Sequence, residues 1–166
     1  ALAVIERLTD GPQVLVGSSM GGWIALLLAR DMATRIAGLV GIAAAPDFTQ
    51  TMWEEEFSLA DRTRLMKTGV VLRPSDYSDE PYPITRRLIE DGKANLVMDR
   101  PLHLPMPVRL LQGTADTDVP PSVALRLLDH VSSPDLRLTL VRDADHRFST
   151  PACLALIVET VEAVLA

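Results

Sequence analysis

Short apolar runs alternate along the chain with stretches in which apolar residues recur every three or four positions. The run 13–17, Gln-Val-Leu-Val-Gly, lies between Asp10-Gly11-Pro12 and Ser18-Ser19 and predicts a buried strand closed by turns. Over 21–32, Ile24, Leu27, Leu28 and Met32 fall at helical spacing among Ala and Leu, both good helix formers, so a helix should follow that strand at once. A second strand is predicted over 36–45. The strand 108–112, helix 122–131, strand 136–142 and helix 151–165 repeat the alternation, and 1–10 reads as the tail of an amphipathic helix. Strand and helix in turn predict a mostly parallel sheet with helices on both faces, an α/β architecture. Strands covered on both sides should be apolar throughout, as Val14-Leu15-Val16 and Leu39-Val40-Gly41-Ile42 are.

The pattern lapses between Pro46 and Pro107, where half of the chain's 12 prolines lie from Pro74 onward. That density disfavours regular strands and long helices. Residues 48–106 are expected to form an insertion with helices around 54–67 and 84–92, seated as a small cap over the sheet, within one domain spanning 1–166. A length of 166 residues suits a single core, and 48% hydrophobic with 23% charged residues is the balance of a globular protein. The formal net charge of −6, without a Lys/Arg run, argues against nucleic acid and anionic membranes as partners. No apolar stretch reaches the ~18 residues of a membrane helix. Cys153 is the only cysteine and the three histidines are far apart, so neither a disulfide framework nor a metal-ligand spacing is present. A reducing, cytoplasmic compartment is expected.

Chemistry enters at the end of the first strand. Gly17-Ser18-Ser19-Met20-Gly21 matches G-x-S-x-G, a motif that belongs between a strand and a helix, and it centres Ser19 as a nucleophile. The sharp turn brings the residues two before and two after the serine together, so Gly17 and Gly21 are expected to relieve a clash there. On the loop after the strand 108–112, Asp116 is placed to orient a base, with Asp118 as its rival. On the loop after 136–142 stands His146, completing the order Ser, Asp, His on three loops at one sheet edge. Asp145 beside it can equally cap a turn. His103, among prolines, and His130, near a helix C-terminus, carry the structural reading. Cys153 reads as a small core residue and Asp47 as a turn residue.

Taken together, Val16 to Trp23, the G-x-x-D-x-x-V-P spacing of Gly113 to Pro120, and Asp145-His146-Arg147 resemble the α/β-hydrolase superfamily. The likeness is greatest to its small esterases and thioesterases, the palmitoyl-protein thioesterases and acyl-glucuronide esterases among them. The resemblance implies an α/β-hydrolase fold with Ser19 as nucleophile, Asp116, three after Gly113, as acid and His146 as base. It implies that the backbone N–H of Met20 donates to the oxyanion. It also implies no cofactor, a small-molecule ester or thioester substrate, and no particular oligomeric state. The family's second oxyanion donor often lies beside a His-Gly dipeptide, which this sequence lacks. With its first residues just ahead of the elbow strand, the chain reads as the C-terminal two-thirds of a longer hydrolase, the alternative being a short chain that takes the missing strands from a partner. Met52, Trp53, Phe57, Leu65, Met66 and Tyr77 in the insertion are candidates for an acyl pocket. Peptidase or acyltransferase chemistry, or a non-catalytic ligand-binding relative, are the alternatives.

Overall fold

The computed structural model describes residues 1–74 and 79–166. Contacts divide the chain into two units, Ala1–Pro46 with Val97–Ala166, and Asp47–Leu96. The first opens with α1 (Leu2–Leu8), β1 (Gln13–Ser18), α2 (Met20–Asp31) and β2 (Ile36–Ile42). The second unit contains α3 (Phe48–Thr51), a π-helical turn (Met52–Glu56), α4 (Leu59–Thr68), β3 (Val70–Arg73), β4 (Tyr82–Thr85) and α5 (Arg86–Ala94). The chain then returns to the first unit with β5 (Leu102–His103), β6 (Val108–Gly113), α6 (Pro121–His130), β7 (Val131–Ser132), β8 (Leu136–Val141) and α7 (Pro151–Leu165).

The main sheet has the order β1-β2-β6-β8, and every neighbouring pair is parallel. Its middle strands are the continuous apolar runs of the sequence: Leu39, Val40, Val108, Leu110 and Leu111 are almost wholly buried. Each such side chain contributes roughly 1.5–3 kcal/mol by leaving water. The outer strands do not follow the expectation of apolar burial throughout. Val16 is 50% exposed in β1, and β8 leaves Arg137, Thr139 and Leu140 in solvent. Beneath the sheet, Val40, Ile42 and Leu111 pack with Ala144, Phe148 and Cys153, and Ile157, Val161 and Val164 of α7 close over them. At the other end of the sheet Arg109 donates to both the carbonyl and the carboxylate of Asp135, tying β6 to the start of β8. That hydrogen bond, with a second from Arg137, holds the Asp135 carboxyl below its ordinary value.

Strand β2 ends at Ile42, three residues earlier than the sequence suggests, because Ala43 turns to φ 45° and gives its N–H to the Leu111 carbonyl. Residues 97–106, counted from the sequence with the insertion, group instead with the first unit. There Leu102 pairs with Val131, Ser132 O accepts from Leu104 N, and a His130 ring nitrogen meets Val97 O at 3.0 Å.

The second unit departs further from expectation. In place of one helix over 54–67, Ser58 caps a helix that begins at Leu59, exchanging hydrogen bonds with Asp61 in a capping box. The helix expected over 84–92 starts at Arg86, and Ile84 belongs to a β3–β4 hairpin despite Pro83. Arg86 N–H donates to Gly69 O, which sets the alternation of the antiparallel ladder and leaves Leu72–Pro83 as a pair without mutual hydrogen bonds. The missing proline N–H therefore costs the ladder nothing. Met52, Phe57, Leu65, Val71 and Ile84 form this unit's core.

Candidate active site

Ser19 sits where β1 turns into α2, with φ 53° and ψ −122°, a conformation that costs a non-glycine residue on the order of 1–3 kcal/mol. Its backbone is fixed on both sides: Ser19 N–H donates to Ile42 O at 2.9 Å, and Ser19 O accepts from Ala45 N at 3.1 Å. Gly17 is required by the turn, since a Cβ on it would lie 2.3 Å from Gly21 O. The expectation that Gly21 is needed for the same reason is corrected, because a Cβ on Gly21 meets nothing within 4 Å. The clash is one-sided: the side-chain position of Gly17 points at the helix backbone, whereas that of Gly21 points away. Gly22 is the second constrained position, where a Cβ would come within 2.6 Å of the Ala44 Cβ.

The loops after β6 and β8 are tied to one another. Thr114 N–H donates to Val141 O, Ala115 N–H to Ala144 O, and Asp143 N–H to Thr114 Oγ1, all between 2.9 and 3.0 Å. Gly113 allows this approach, since its Cβ would stand 2.2 Å from Ala144 O. Phe148, fully buried at φ 51°, anchors the second loop in the core, and Asp145 Oδ1 caps that turn by accepting from Phe148 N.

These constraints bring Ser19, Asp116 and His146 into one chain of hydrogen bonds. His146 Nε2 lies 3.2 Å from Ser19 Oγ, and His146 Nδ1 lies 3.0 Å from Asp116 Oδ2. A carboxylate oxygen only accepts, so it places the ring proton on Nδ1 and leaves Nε2 to accept from the serine hydroxyl. The Asp116 side chain is fully buried, and the His146 side chain is 17% exposed. Asp116 Oδ1 accepts from the N–H groups of Asp118 and Val119 at 3.0 and 2.8 Å. Asp118 thus enters through its backbone, and the choice of Asp116 over Asp118 as histidine partner follows from the loop's own turn.

Met20 occupies the first turn of α2, where a backbone N–H has no intrahelical acceptor. Asp116, Asp118 and His146 offer ligand atoms within 4.8 Å of one another. The Asp116 oxygens are already surrounded by N–H donors and His146 Nδ1 faces one of them, an arrangement built for hydrogen bonding rather than for a cation. Cys153 is buried in the core, His103 lies in β5, and Asp47 holds a left-handed turn ahead of α3.

One residue at the site escaped the sequence reading. Gln112, fully buried on β6, donates through Nε2 to Asp116 Oδ2 at 2.9 Å and to Val119 O at 3.0 Å. The signal was an amide directly after the buried apolar pair Leu110-Leu111.

Of the apolar residues proposed for a pocket, Met52 and Phe57 are core of the second unit. Trp53, Leu65 and Met66 line a cavity of about 420 Å³ within that unit, together with Arg62 and Ile89. Tyr77 lies outside the described residues. Among the described residues no helix is long and apolar enough to cross a membrane.

The family model for the alpha/beta hydrolase family matches residues 1–152, and the chain belongs to that family. It is similar to the mitochondrial palmitoyl-protein thioesterase ABHD10 of Homo sapiens, 33% identical over 162 residues that make up 97% of this chain and 53% of that protein. The Bos taurus protein of the same name gives the same identity and coverage. The chain thus spans about half the length of the curated relatives it matches. Among solved structures, one described as a hydrolase of Agrobacterium vitis S4 superposes with a TM-score of 0.94 at 42% identity, covering 99% of this chain and 66% of that one. Alpha/beta hydrolase domain-containing protein 10 from mouse superposes with a TM-score of 0.88 at 30% identity, with the same coverage. The resemblance drawn from the three sequence motifs is borne out. The curated relatives carry "mitochondrial" in their names, which lends no support to a cytoplasmic setting.

Proposed function

We propose that the protein is a serine hydrolase that cleaves carboxylic ester or thioester bonds through an acyl-enzyme. The observation that carries this reading is the hydrogen-bonded series Ser19 Oγ, His146 Nε2, His146 Nδ1, Asp116 Oδ2. In the first step His146 takes the hydroxyl proton of Ser19 through Nε2 while Ser19 Oγ bonds to the carbonyl carbon. The imidazolium so formed is stabilised by the Asp116 carboxylate through the Nδ1 proton. Negative charge develops on the carbonyl oxygen, and the Met20 N–H at the head of α2 is the donor this chain offers it. His146 returns the proton to the departing alcohol or thiol; water then attacks the acyl-enzyme with His146 again as base, the bond to Ser19 Oγ breaks as His146 gives that oxygen the proton, and the carboxylic acid leaves. All the groups used are side chains or backbone of the protein, so the reaction needs no cofactor.

The palmitoyl-protein thioesterase names of the relatives favour an acyl substrate with an apolar chain. The two aspartates separate the proposed roles. In the full-length protein, Asp116→Asn is expected to lower kcat for a p-nitrophenyl ester by on the order of a thousandfold or more, because it donates where histidine needs an acceptor. Asp118→Asn should lower kcat far less than Asp116→Asn does, since the substitution keeps the backbone N–H that Asp118 gives to Asp116 Oδ1. Steady-state kinetics of the two variants checks this; equal losses would contradict the assignment, as would an unaffected Asp116→Asn.

A further inference from the structure

We infer that Gln112 is a positioning residue of this site, holding the Asp116 carboxylate in the orientation that His146 requires; the inference rests on the hydrolase reading above. Gln112 is the last side chain of β6 before Gly113 and is completely buried. Its amide nitrogen faces three oxygens: Asp116 Oδ2 at 2.9 Å, Val119 O at 3.0 Å and Gly113 O at 3.3 Å. Three acceptors around one atom fix the amide orientation, because the flipped form would set Oε1 against a carboxylate and two carbonyls. In this orientation Oε1 is buried with no hydrogen-bond partner among the described residues. A leucine or methionine would fill such a position on an apolar strand without leaving an orphan acceptor. The amide is therefore explained by what its nitrogen does rather than by packing.

What it does is specific to one oxygen. Asp116 Oδ2 receives two donors, Gln112 Nε2 and His146 Nδ1, while Oδ1 receives the N–H groups of Asp118 and Val119. The loop amides alone grip one oxygen and leave the carboxylate free to swing about it. The Gln112 amide fixes the second oxygen and also spans to Val119 O, so the loop 113–119 is closed across the carboxylate it presents. Removing the amide leaves His146 as the donor on Oδ2 among the described residues, and the plane of the carboxylate is then set by the group it is meant to orient. The effect should fall on the chemical step and reach the substrate only through Asp116 and His146.

The test is a double-mutant cycle in the full-length protein with a p-nitrophenyl ester. Gln112→Met, similar in volume and without donors, is expected to lower kcat roughly tenfold or more, with KM within about twofold and the folded state retained. In an Asp116→Ala background the same substitution should change kcat by less than about twofold, since the group it positions is gone. Gln112→Asn, which keeps an amide but withdraws it by one methylene, should show the same loss and the same silence and serves if the methionine variant does not fold. A folded Gln112 variant with wild-type kcat overturns the inference, and so does an equal loss in both backgrounds, the mark of a general structural role. Ser19→Ala run in parallel separates the two readings: if it retains turnover the hydrolase assignment fails, whereas if it abolishes turnover while Gln112→Met is silent only the role of Gln112 fails.

Discussion

Replacing Ser19 with Ala in the full-length protein is expected to lower kcat toward a p-nitrophenyl ester by on the order of ten-thousandfold or more while leaving the fold in place. The separation of the two effects follows from where the hydroxyl stands. Among the described residues its side-chain hydrogen bond is to His146, so its loss opens no cavity and leaves no buried donor behind. The strained backbone at φ 53° is the same for Ala as for Ser, and Ala43, just beyond β2, already holds φ 45° in the same fold. Thermal unfolding of the variant should lie within a few degrees of the wild type. A large loss of stability would mean that the elbow is a structural turn whose serine supports the backbone.

The largest effect on the fold is expected at Gly113. An Ala there would put its Cβ 2.2 Å from Ala144 O, 2.7 Å from Ala144 C and 3.0 Å from Asp145 O, all main-chain atoms of the loop that presents His146. None can give way as a flexible side chain would, and the bond from Ala115 N–H to Ala144 O runs through the same contact. Overpacking against backbone should cost about 3 kcal/mol or more, which lowers Tm by roughly 6–12 °C. The surviving folded molecules should turn over about a hundredfold more slowly, since moving the base loop by even 1 Å separates groups that must meet. Gly21→Ala is the control: nothing stands within 4 Å of its Cβ, and alanine in a helix is preferred to glycine by roughly 0.5–1 kcal/mol. Calorimetry and kinetics on the two variants distinguish a glycine required by close approach from one merely included in a motif.

That contrast shows what the sequence could and could not express. The central strands and their helices were legible because β2 and β6 are buried on both faces, and burial writes itself as unbroken apolar runs. Ser19, Asp116 and His146 were legible as candidates because each sits just beyond a strand end, at a place the alternation of elements defines. The hairpin Val70–Arg73 with Tyr82–Thr85 was not, because proline density hides a two-stranded ladder whose unpaired positions tolerate Pro83. The capped start of α4 at Ser58 depended on a four-residue signal within a longer apolar-periodic stretch. Asp116 and Asp118 could be told apart from residues alone only through the family's spacing; the loop geometry gives the reason, since Asp116 accepts from the turn that Asp118 helps to form. Gln112 carried a visible sign, an amide among apolar neighbours, whose meaning appears only once Asp116 folds back over it.

The central claim is that Ser19 is a nucleophile activated by His146. Incubating the full-length protein with a fluorophosphonate probe and mapping the adduct by mass spectrometry tests it most directly. The account predicts a single phosphonylated residue, Ser19, with labelling suppressed in both Ser19→Ala and His146→Ala. A folded protein that stays unlabelled, or one modified at a different side chain with Ser19 untouched, would contradict it.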